Sequence, residues 1–378
     1  MQVAILTSPG DHHAHATAWG LGKRGHDCDL IYFGELPQRA TISVDPAAYS
    51  DVTFESEYLR TNLNRYERYW LRRPADAILP KDIHESDKAI ARLYWNCLLD
   101  GLTRALGDSS RFCINPPVGG EVSRLKVYQL PVARSVGLRI PRSIVTTSGA
   151  DARGFVAQNR RRGKGTILKP LYSALWDFHD GGFAVLETTR VAAEDISDAS
   201  LQLAPCIFQE EIKKKSEVRL TVMGRSLFAA ELESQAIPGA ELDFRRARDW
   251  DALGCKPISV PKEVAAAVLE FQRRCRLNFG TMDFIIDEDG QWVFLETNPS
   301  GQFLWVEKAH PETPLLDAFL KFIIAGSDEF EYAGASGDRI ALADFHAETE
   351  EGRLAFLHAE RRRHVQMGNM TPPDRPLL

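Results

Sequence analysis

The sequence predicts a chain of mixed α/β and α+β class, and three patterns carry that reading. A buried strand, a helix and a second strand follow one another between Val3 and Phe33, the β-α-β order of an α/β domain. Three strand-like runs follow one another from Cys206 to Glu233. Two further apolar runs, 282–286 and 292–295, flank Asp287-Glu288-Asp289-Gly290 and read as a β-hairpin.

In chain order, residues 3–6 form the first strand, Ser8-Pro9-Gly10-Asp11 turns into a helix over about 13–24, and 29–33 returns as a strand. A strand at 69–72 and a long helix at 85–106 complete a first unit, which the pair Pro116-Pro117 closes. A second unit, 118–205, holds a helix over 121–136 that Pro131 should kink, the strand 143–147, a helix ahead of Arg160-Arg161-Arg162-Gly163 and the strand 166–171. The strands from Cys206, a loop with Gly239, a helix over 262–277, the hairpin and a helix over 314–324 make a third, 206–326. Residues 327–378 change character: Gly334-Ala335-Ser336-Gly337 leads to a polar helical stretch, 342–363, and a proline-rich end that should be unstructured.

At 378 residues the chain has room for two or three domains with sizeable cores. Its 44% hydrophobic and 26% charged residues are those of an ordinary globular protein, and the net charge of −6 argues against nucleic acid as main partner. The six cysteines are scattered with no CxxC pair, which points to a reduced, cytoplasmic protein without structural zinc. No apolar run approaches the roughly 18 residues of a membrane span. The apolar start, 1–6, is also too short for a secretion signal, so no membrane partner is expected.

Three oxygen-bearing side chains sit on the hairpin: Asp283, then Glu296 and Asn298. Such oxygens are the hard ligands magnesium prefers, and magnesium completes its octahedron with water and substrate phosphates. Solvated strand ends and an Asn-Pro turn are the alternative. Glu296 follows the apolar pair Phe294-Leu295 and favours the cation, because an unpaired buried carboxylate is costly. A phosphate-bearing component calls for cations. Lys169, in an otherwise apolar strand, and Lys126, near a helix start, are candidates that also fit ordinary solvated lysines.

No GxxxxGK[ST] loop is present, so a nucleotide needs another cradle. Asp180-Gly181-Gly182-Phe183 fits either a flap over phosphates or a plain hairpin loop. Glu217 and Arg219 share one face of a strand, as a surface ion pair or as the lining of a cleft. Lys213-Lys214-Lys215 reads as a solvated turn, while Arg72-Arg73 and Arg245-Arg246 offer guanidinium forks suited to carboxylates or phosphates. Asp11-His12-His13-Ala14-His15 fits no zinc spacing and reads as a helix start.

In order and spacing, Lys126, Lys169, Gln209-Glu210-Glu211-Ile212, Glu217-Val218-Arg219, Asp283 and Glu296-Thr297-Asn298 resemble an ATP-grasp ligase. The graspetide (microviridin-type) synthetases are closer still. Trp70-Leu71-Arg72-Arg73-Pro74 resembles that branch's Trp-Tyr-Arg-Arg-Pro, and Lys214-Lys215-Ser216-Glu217-Val218-Arg219 its Lys-x-x-Glu-Leu-Arg strand. Phe228-Ala229-Ala230-Glu231, Ser234-Gln235 and Asp243-Phe244-Arg245 are similar to its Phe-Ala-Ala-Glu, Ser-Gln and Asp-Trp-Arg. The most specific likeness is Asn298-Pro299-Ser300-Gly301-Gln302-Phe303-Leu304-Trp305-Val306-Glu307 to its Asn-Pro-Asn-Gly-Gln-Trp-Leu-Trp-Ile-Glu stretch. The resemblance covers about 60–325. Phe244 and Phe303 stand where the branch has tryptophan, and the last fifty or so residues match nothing in it.

The resemblance implies the ATP-grasp fold (glutathione-synthetase-like): an N-terminal α/β domain, 1–117, then a central lid subdomain, 118–205, and a C-terminal subdomain with the metal site, 206–326, clamping ATP between them. Residues 327–378 are an extension without an implied role. The implied cofactors are ATP and Mg2+. Lys126 and Lys169 fall on the phosphates, the backbone of Gln209, Glu210, Glu211 and Ile212 on adenine, Glu217 toward ribose, and Asp283, Glu296 and Asn298 on magnesium. Arg219, with Lys169, would act at the γ-phosphate and the acyl group.

The implied enzyme is an ADP-forming carboxylate–amine or carboxylate–alcohol ligase. As a macrocyclase it joins Asp or Glu side chains to Ser, Thr or Lys side chains of a ribosomal precursor peptide with leader and core. Arg72, Arg73, Lys214, Asp243 and Arg245 would contact that peptide. A ligase acting on free amino acids or on a protein tail shares every nucleotide residue, and a homodimer stays open.

Overall fold

β1 (Gln2–Leu6), α1 (His12–Lys23) and β2 (Asp27–Ile31) form the expected opening. A run apolar at every position, Val3 to Leu6, suits a strand with neighbours on both edges and cover on both faces. Asp11 caps α1 by accepting from the amide of Ala14 at 3.0 Å. The structure is a computed structural model and describes residues 1–47, 51–107, 111–171, 175–177, 183–185, 188–246, 253–334 and 338–349.

Three short antiparallel strands follow, β3 (Ala40–Val44), β4 (Val52–Ser56) and β5 (Arg60–Asn62), where the sequence reading assigned none. Then come β6 (Arg68–Leu71), α2 (Glu85–Gly107) and β7 (Phe112–Ile114). The parallel sheet runs β2-β1-β6-β7.

The single helix expected over 121–136 is two helices, α3 (Pro117–Ser123) and α4 (Lys126–Ser135). The break lies at Arg124-Leu125 and not at Pro131, because Leu125 is extended (φ −84°, ψ 108°) and starts a new helix. Pro131 is tolerated inside α4, and the break makes Lys126 a first-turn residue. The second sheet, β12-β9-β13-β8, comprises β8 (Ser143–Thr146), β9 (Thr166–Lys169), β12 (Thr189–Arg190) and β13 (Cys206–Glu210). It is backed by α5 (Gly149–Arg161) and α6 (Asp198–Leu203), whose Ala152, Phe155 and Leu201 pack on Phe208. β10 (Leu175–Asp177) and β11 (Phe183–Val185) pair antiparallel, and the Asp180-Gly181-Gly182 turn lies outside the described residues.

The third sheet is antiparallel, in the order β16-β15-β14-β17-β18. Its strands are β14 (Lys214–Met223), β15 (Ser226–Leu232), β16 (Cys255–Pro257), β17 (Phe279–Asp287) and β18 (Trp292–Asn298). Val218, Leu220, Met282, Phe284 and Phe294 on one face pack on α7 (Lys262–Cys275), whose stripe Ala267, Val268, Phe271, Cys275 repeats at helical spacing. α8 (Leu304–Ala309) and α9 (Leu315–Ala325) follow.

α9 joins the first sheet to the third. The Phe319 ring lies 4.6 Å from Trp70, 5.2 Å from Phe279 and 4.9 Å from Phe303, edge-on or tilted in each case. A Cβ on Gly20 would stand 2.5 Å from Leu320, so glycine lets α1 close on α9. Residues 342–349 are helical and bury Leu342 and Phe345 against this core. The rest of the helical stretch expected to 363 lies outside the described residues.

Asn115 is the main polar tie. Its Oδ1 accepts from the amides of Asn278 and Phe279, both at 2.9 Å, and its Nδ2 donates to Pro299 O at 2.8 Å. Replacing it by alanine leaves two buried N–H groups and one carbonyl without partners. Asn115→Ala should therefore lower stability by about 3 kcal/mol or more, read as a shifted denaturation midpoint at unchanged m-value.

Candidate active site

Two β-bulges build the site. β17 and β18 pair Phe284 with Phe294 and then Asp283 with Glu296, so Leu295 is one residue extra. Strict alternation would place Glu296 on the core face beside Phe294. The bulge returns it to the face of Asp283. Thr281 opposite Asn298 keeps Asn298 on that face too. On the far side of β17, β14 pairs Lys214 with Asp287 and Ser216 with Ile286, which leaves Lys215 over. Lys214 is three residues from Glu217 and of opposite parity, yet the bulge puts both on one face. One sheet face thus presents Lys214, Glu217, Arg219, Asp283, Glu296 and Asn298.

A cleft separates this face from β9 and β13 of the second sheet. Ile167, Ile212, Leu242, Phe244, Ile285 and Leu295 give it apolar walls, and Lys169, Glu217, Asp243, Asp283 and Glu296 stand at polar positions. Apolar walls with a few convergent polar groups are the mixture of a small-molecule site.

Charge in the cleft is paired. Arg219 Nη1 donates to Asp283 Oδ1 at 2.7 Å, with both side chains almost fully buried. Its Nη2 donates to Gln302 O at 2.7 Å, and its buried Nε has no partner among the described residues. Lys126 Nζ lies 3.2 Å from Glu296 Oε2 and donates to Pro170 O at 3.0 Å. Glu217 Oε1 accepts from Lys214 Nζ and from Ser234 Oγ, each at 2.8 Å, and Lys214 also donates to Leu242 O at 3.0 Å. Burial raises the Glu217 carboxyl above the usual range, against the pull of Lys214. Lys169, on the opposite wall, is buried.

The turn after β18 packs behind the charged face, where its Gln302 carbonyl accepts from Arg219. Asn298 Oδ1 accepts from Ser300 N at 3.0 Å. Gly301 packs so tightly on Thr281 that a Cβ would fall 1.7 Å from its Oγ1. Arg72 is wholly buried; its Nε lies 3.1 Å from Asp11 Oδ2 and its Nη1 donates to the carbonyls of Ser300 and Gly301. Burial pushes its pKa down to about 10, with Asp11 opposing. Arg73 is exposed and donates from Nε to Ser300 O at 3.1 Å.

No family model and no curated protein sequence matches the chain. Solved structures do. The macrocyclase MdnC of Microcystis aeruginosa MRC, bound with precursor peptide MdnA, aligns at TM-score 0.76 and 23% identity over 86% of this chain and 100% of that one. A Chryseobacterium gregarium RiPP-associated ATP-grasp ligase in complex with ADP and a leader and core peptide aligns at 0.77 and 20%, over 90% and 99%. The ATP-grasp ligase PsnB, complexed with minimal precursor, Mg and ADP, aligns at 0.66 and 22%, over 85% and 97%.

The chain has the ATP-grasp fold. Within the ATP-grasp cleft, Lys169, Gln209, Glu210, Ile212, Glu217, Asp243, Asp283 and Glu296 line one space, although they come from four separate segments of the chain. Lys126 and Arg219 reach it through their partners Glu296 and Asp283. β13 ends at Glu210, and the chain leaves both ladders over 211–213. The side chain of Glu211 turns away to a paired contact with Arg190 at 2.8 Å.

Arg72 is not brought to the cleft surface. The adjacent motif that suggested peptide contact holds the Ser300-Gly301 turn instead, because a buried guanidinium needs the acceptors that the turn supplies. The side chain of Arg245 lies outside what is described. Sequence reading missed Leu242 and Leu295 as walls, which no local pattern marks, and it missed His13, whose neighbours looked like a helix cap.

Magnesium fits the donor set. Asp283, Glu296 and Asn298 bring two carboxylates and a carboxamide to one sheet face, and among the described residues no three His, Cys, Asp or Glu side chains form a metal cluster. That is the sparse oxygen set magnesium uses when phosphates supply the rest. Among the described residues no helix is long and apolar enough to cross a membrane.

Arg219→Leu removes the cation from a buried carboxylate and should destabilise the chain by about 3–5 kcal/mol, with Arg219→Lys milder. Added Mg2+ should restore part of the Arg219→Leu loss, seen as a metal-dependent rise in denaturation midpoint, because the cation takes the place beside Asp283 and Glu296.

Proposed function

We propose that the chain is an ADP-forming ligase that crosslinks a ribosomal precursor peptide, joining Asp or Glu side chains to Ser, Thr or Lys side chains by ester or amide bonds. The observation that carries this is the buried Arg219–Asp283 pair beside Lys126–Glu296, on one face of one sheet and opposite Lys169. Such a place suits the phosphate end of a nucleotide with its metal and leaves the apolar walls for the base. The solved ATP-grasp structures with precursor peptides, ADP and Mg support the same reading.

Asp283, Glu296 and Asn298 would hold Mg2+, which supplies charge neutralisation along the phosphates. Lys126 and Lys169 would bind phosphate oxygens as point charges, and Arg219 would face the transferred phosphoryl group and the acyl oxygen. The backbone of Gln209, Glu210, Glu211 and Ile212 would meet adenine, and the unoccupied oxygen of Glu217 the ribose. The γ-phosphoryl group passes to a peptide carboxylate with release of ADP. The hydroxyl or amine then displaces inorganic phosphate, and the peptide has lost one water. Phosphoryl transfer of this kind needs positioning and charge more than a protein nucleophile.

Arg73, Lys214, Asp243 and Arg245 would contact the core peptide. The units 1–117, 118–205 and 206–326 would serve as N-terminal domain, lid and metal-bearing subdomain.

Incubation with Mg2+, ATP and a synthetic peptide rich in Thr and in Glu or Asp should give products lighter by about 18 Da per ring, by condensation arithmetic, with equal release of ADP. Asp283→Asn and Glu296→Gln should each lower that rate by about 100-fold or more. ADP release driven by free amino acids or a protein tail, with the peptide unchanged in mass, assigns the ligase to the other substrate class. No ADP with any acceptor overturns the ligase reading.

A further inference from the structure

The turn from Ser300 to Phe303 has neither a ladder nor a helix of its own, so its backbone polar groups need partners from elsewhere. Arg72 supplies donors to the carbonyls of Ser300 and Gly301. His13, on the first turn of α1, supplies the opposite polarity: its Nε2 accepts from Phe303 N at 2.9 Å and from Leu304 N at 3.2 Å. Between the two clamps lies Gln302, whose carbonyl accepts from Arg219 Nη2 at 2.7 Å. The other arm of Arg219 is on Asp283. The guanidinium is thus aimed from behind by a carbonyl whose neighbours on either side are fixed from the first domain.

We infer that His13 is a positioning residue for the reaction: its neutral imidazole, by holding the Phe303 and Leu304 amides, fixes the Gln302 carbonyl and so the aim of Arg219. The inference rests on the ligase reading and adds to it a residue outside the cleft.

Only an unprotonated Nε2 can receive two N–H donors, so the ring proton sits on Nδ1, as assigned from these contacts. An imidazolium would set N–H against N–H. His13 is 5% exposed and its ring lies 5.0 Å from that of Phe303. Burial first, and then the nearby Arg72, His12, Arg73 and Arg219, hold its pKa well below the usual 6.5. The ionisable groups around it are His12 on α1, Arg72 and Arg73 after β6, and Arg219 on β14, with Asp11 at the α1 cap bound to Arg72. Because the folded pKa is lowered, the stability this residue contributes is present above the unfolded value. It is lost as pH falls from about 6.5 through the lowered value.

The test compares the unaltered chain, His13→Leu and His13→Gln. It measures AMPPNP binding, ADP release from Mg-ATP with a synthetic Thr- and Glu-rich peptide, and denaturation midpoint against pH. His13→Leu should keep AMPPNP affinity within about twofold and lose about 100-fold in kcat, the scale of a misplaced catalytic group. His13→Gln, whose Oε1 takes the place of Nε2 and does not protonate, should recover most of that loss. Its acid-side fall in kcat and in midpoint should also flatten. A folded His13→Leu chain with unaltered kcat overturns the inference. So does a His13→Gln chain as impaired as His13→Leu, or one with the acid-side fall of the unaltered chain. If His13→Leu does not fold, His13→Gln decides alone. An unaltered chain that binds no AMPPNP overturns the ligase reading itself, a result no His13 variant produces.

Discussion

One extra residue in β18 governs the chemistry this chain can present. With Leu295 bulged, Glu296 stands opposite Asp283; without it, Glu296 would face Met282 in the apolar core. Side chains in a strand alternate with period two, so one inserted residue is enough to exchange the faces of everything beyond it. Lys215 in β14 does the same for Lys214 and Glu217. The sheet buries a continuous apolar face on α4 and α7 and still carries six charged or amide side chains on the other. Each bulge costs a local irregularity in the ladder and removes a much larger cost, that of a carboxylate or ammonium in the core.

The charged face is stable because its members neutralise one another. Buried carboxylates without a partner would shift toward the neutral acid, and buried cations toward the neutral base. Arg219 lies beside Asp283, Lys126 beside Glu296 and Lys214 beside Glu217, so each of these charges has an opposite one within 3.2 Å. Pairs of this kind contribute modestly to net stability and matter more for what they hold in place. They engage Glu217 through Oε1 and leave Arg219 Nε unpartnered among the described residues, which is the spare capacity a ligand would use.

Much of this was legible in the sequence. The order β-α-β, the strands from Cys206, the hairpin and the long helices follow from periodicity, because each needs only local burial on one or both faces. Lys169 and Glu296 drew notice because a charge inside an apolar run is costly unless something answers it, and Asp283 because it offers a hard oxygen on the same hairpin. The three short strands 40–62 were missed, since strands of three to five residues with only one or two buried positions each carry little periodic signal. The break between α3 and α4 was misplaced onto Pro131, which lies inside α4 although an interior proline removes a hydrogen bond and crowds the preceding turn. Arg72 was read as a contact for the peptide and is buried instead. Its burial depends on Asp11, 61 residues away, and on a turn 228 residues away.

The sequence by itself determined the inventory: which strands and helices exist, which residues are ionisable in apolar company, and a class of chain compatible with a nucleotide and a metal. Those are local properties, set by a few neighbours along the chain. Only the tertiary structure decided which of those residues share a face, because register and bulges depend on strand partners far apart in sequence. It alone decided that His13 and Arg72 clamp one turn from opposite polarities, since a turn without a ladder must find its hydrogen-bond partners wherever packing brings them.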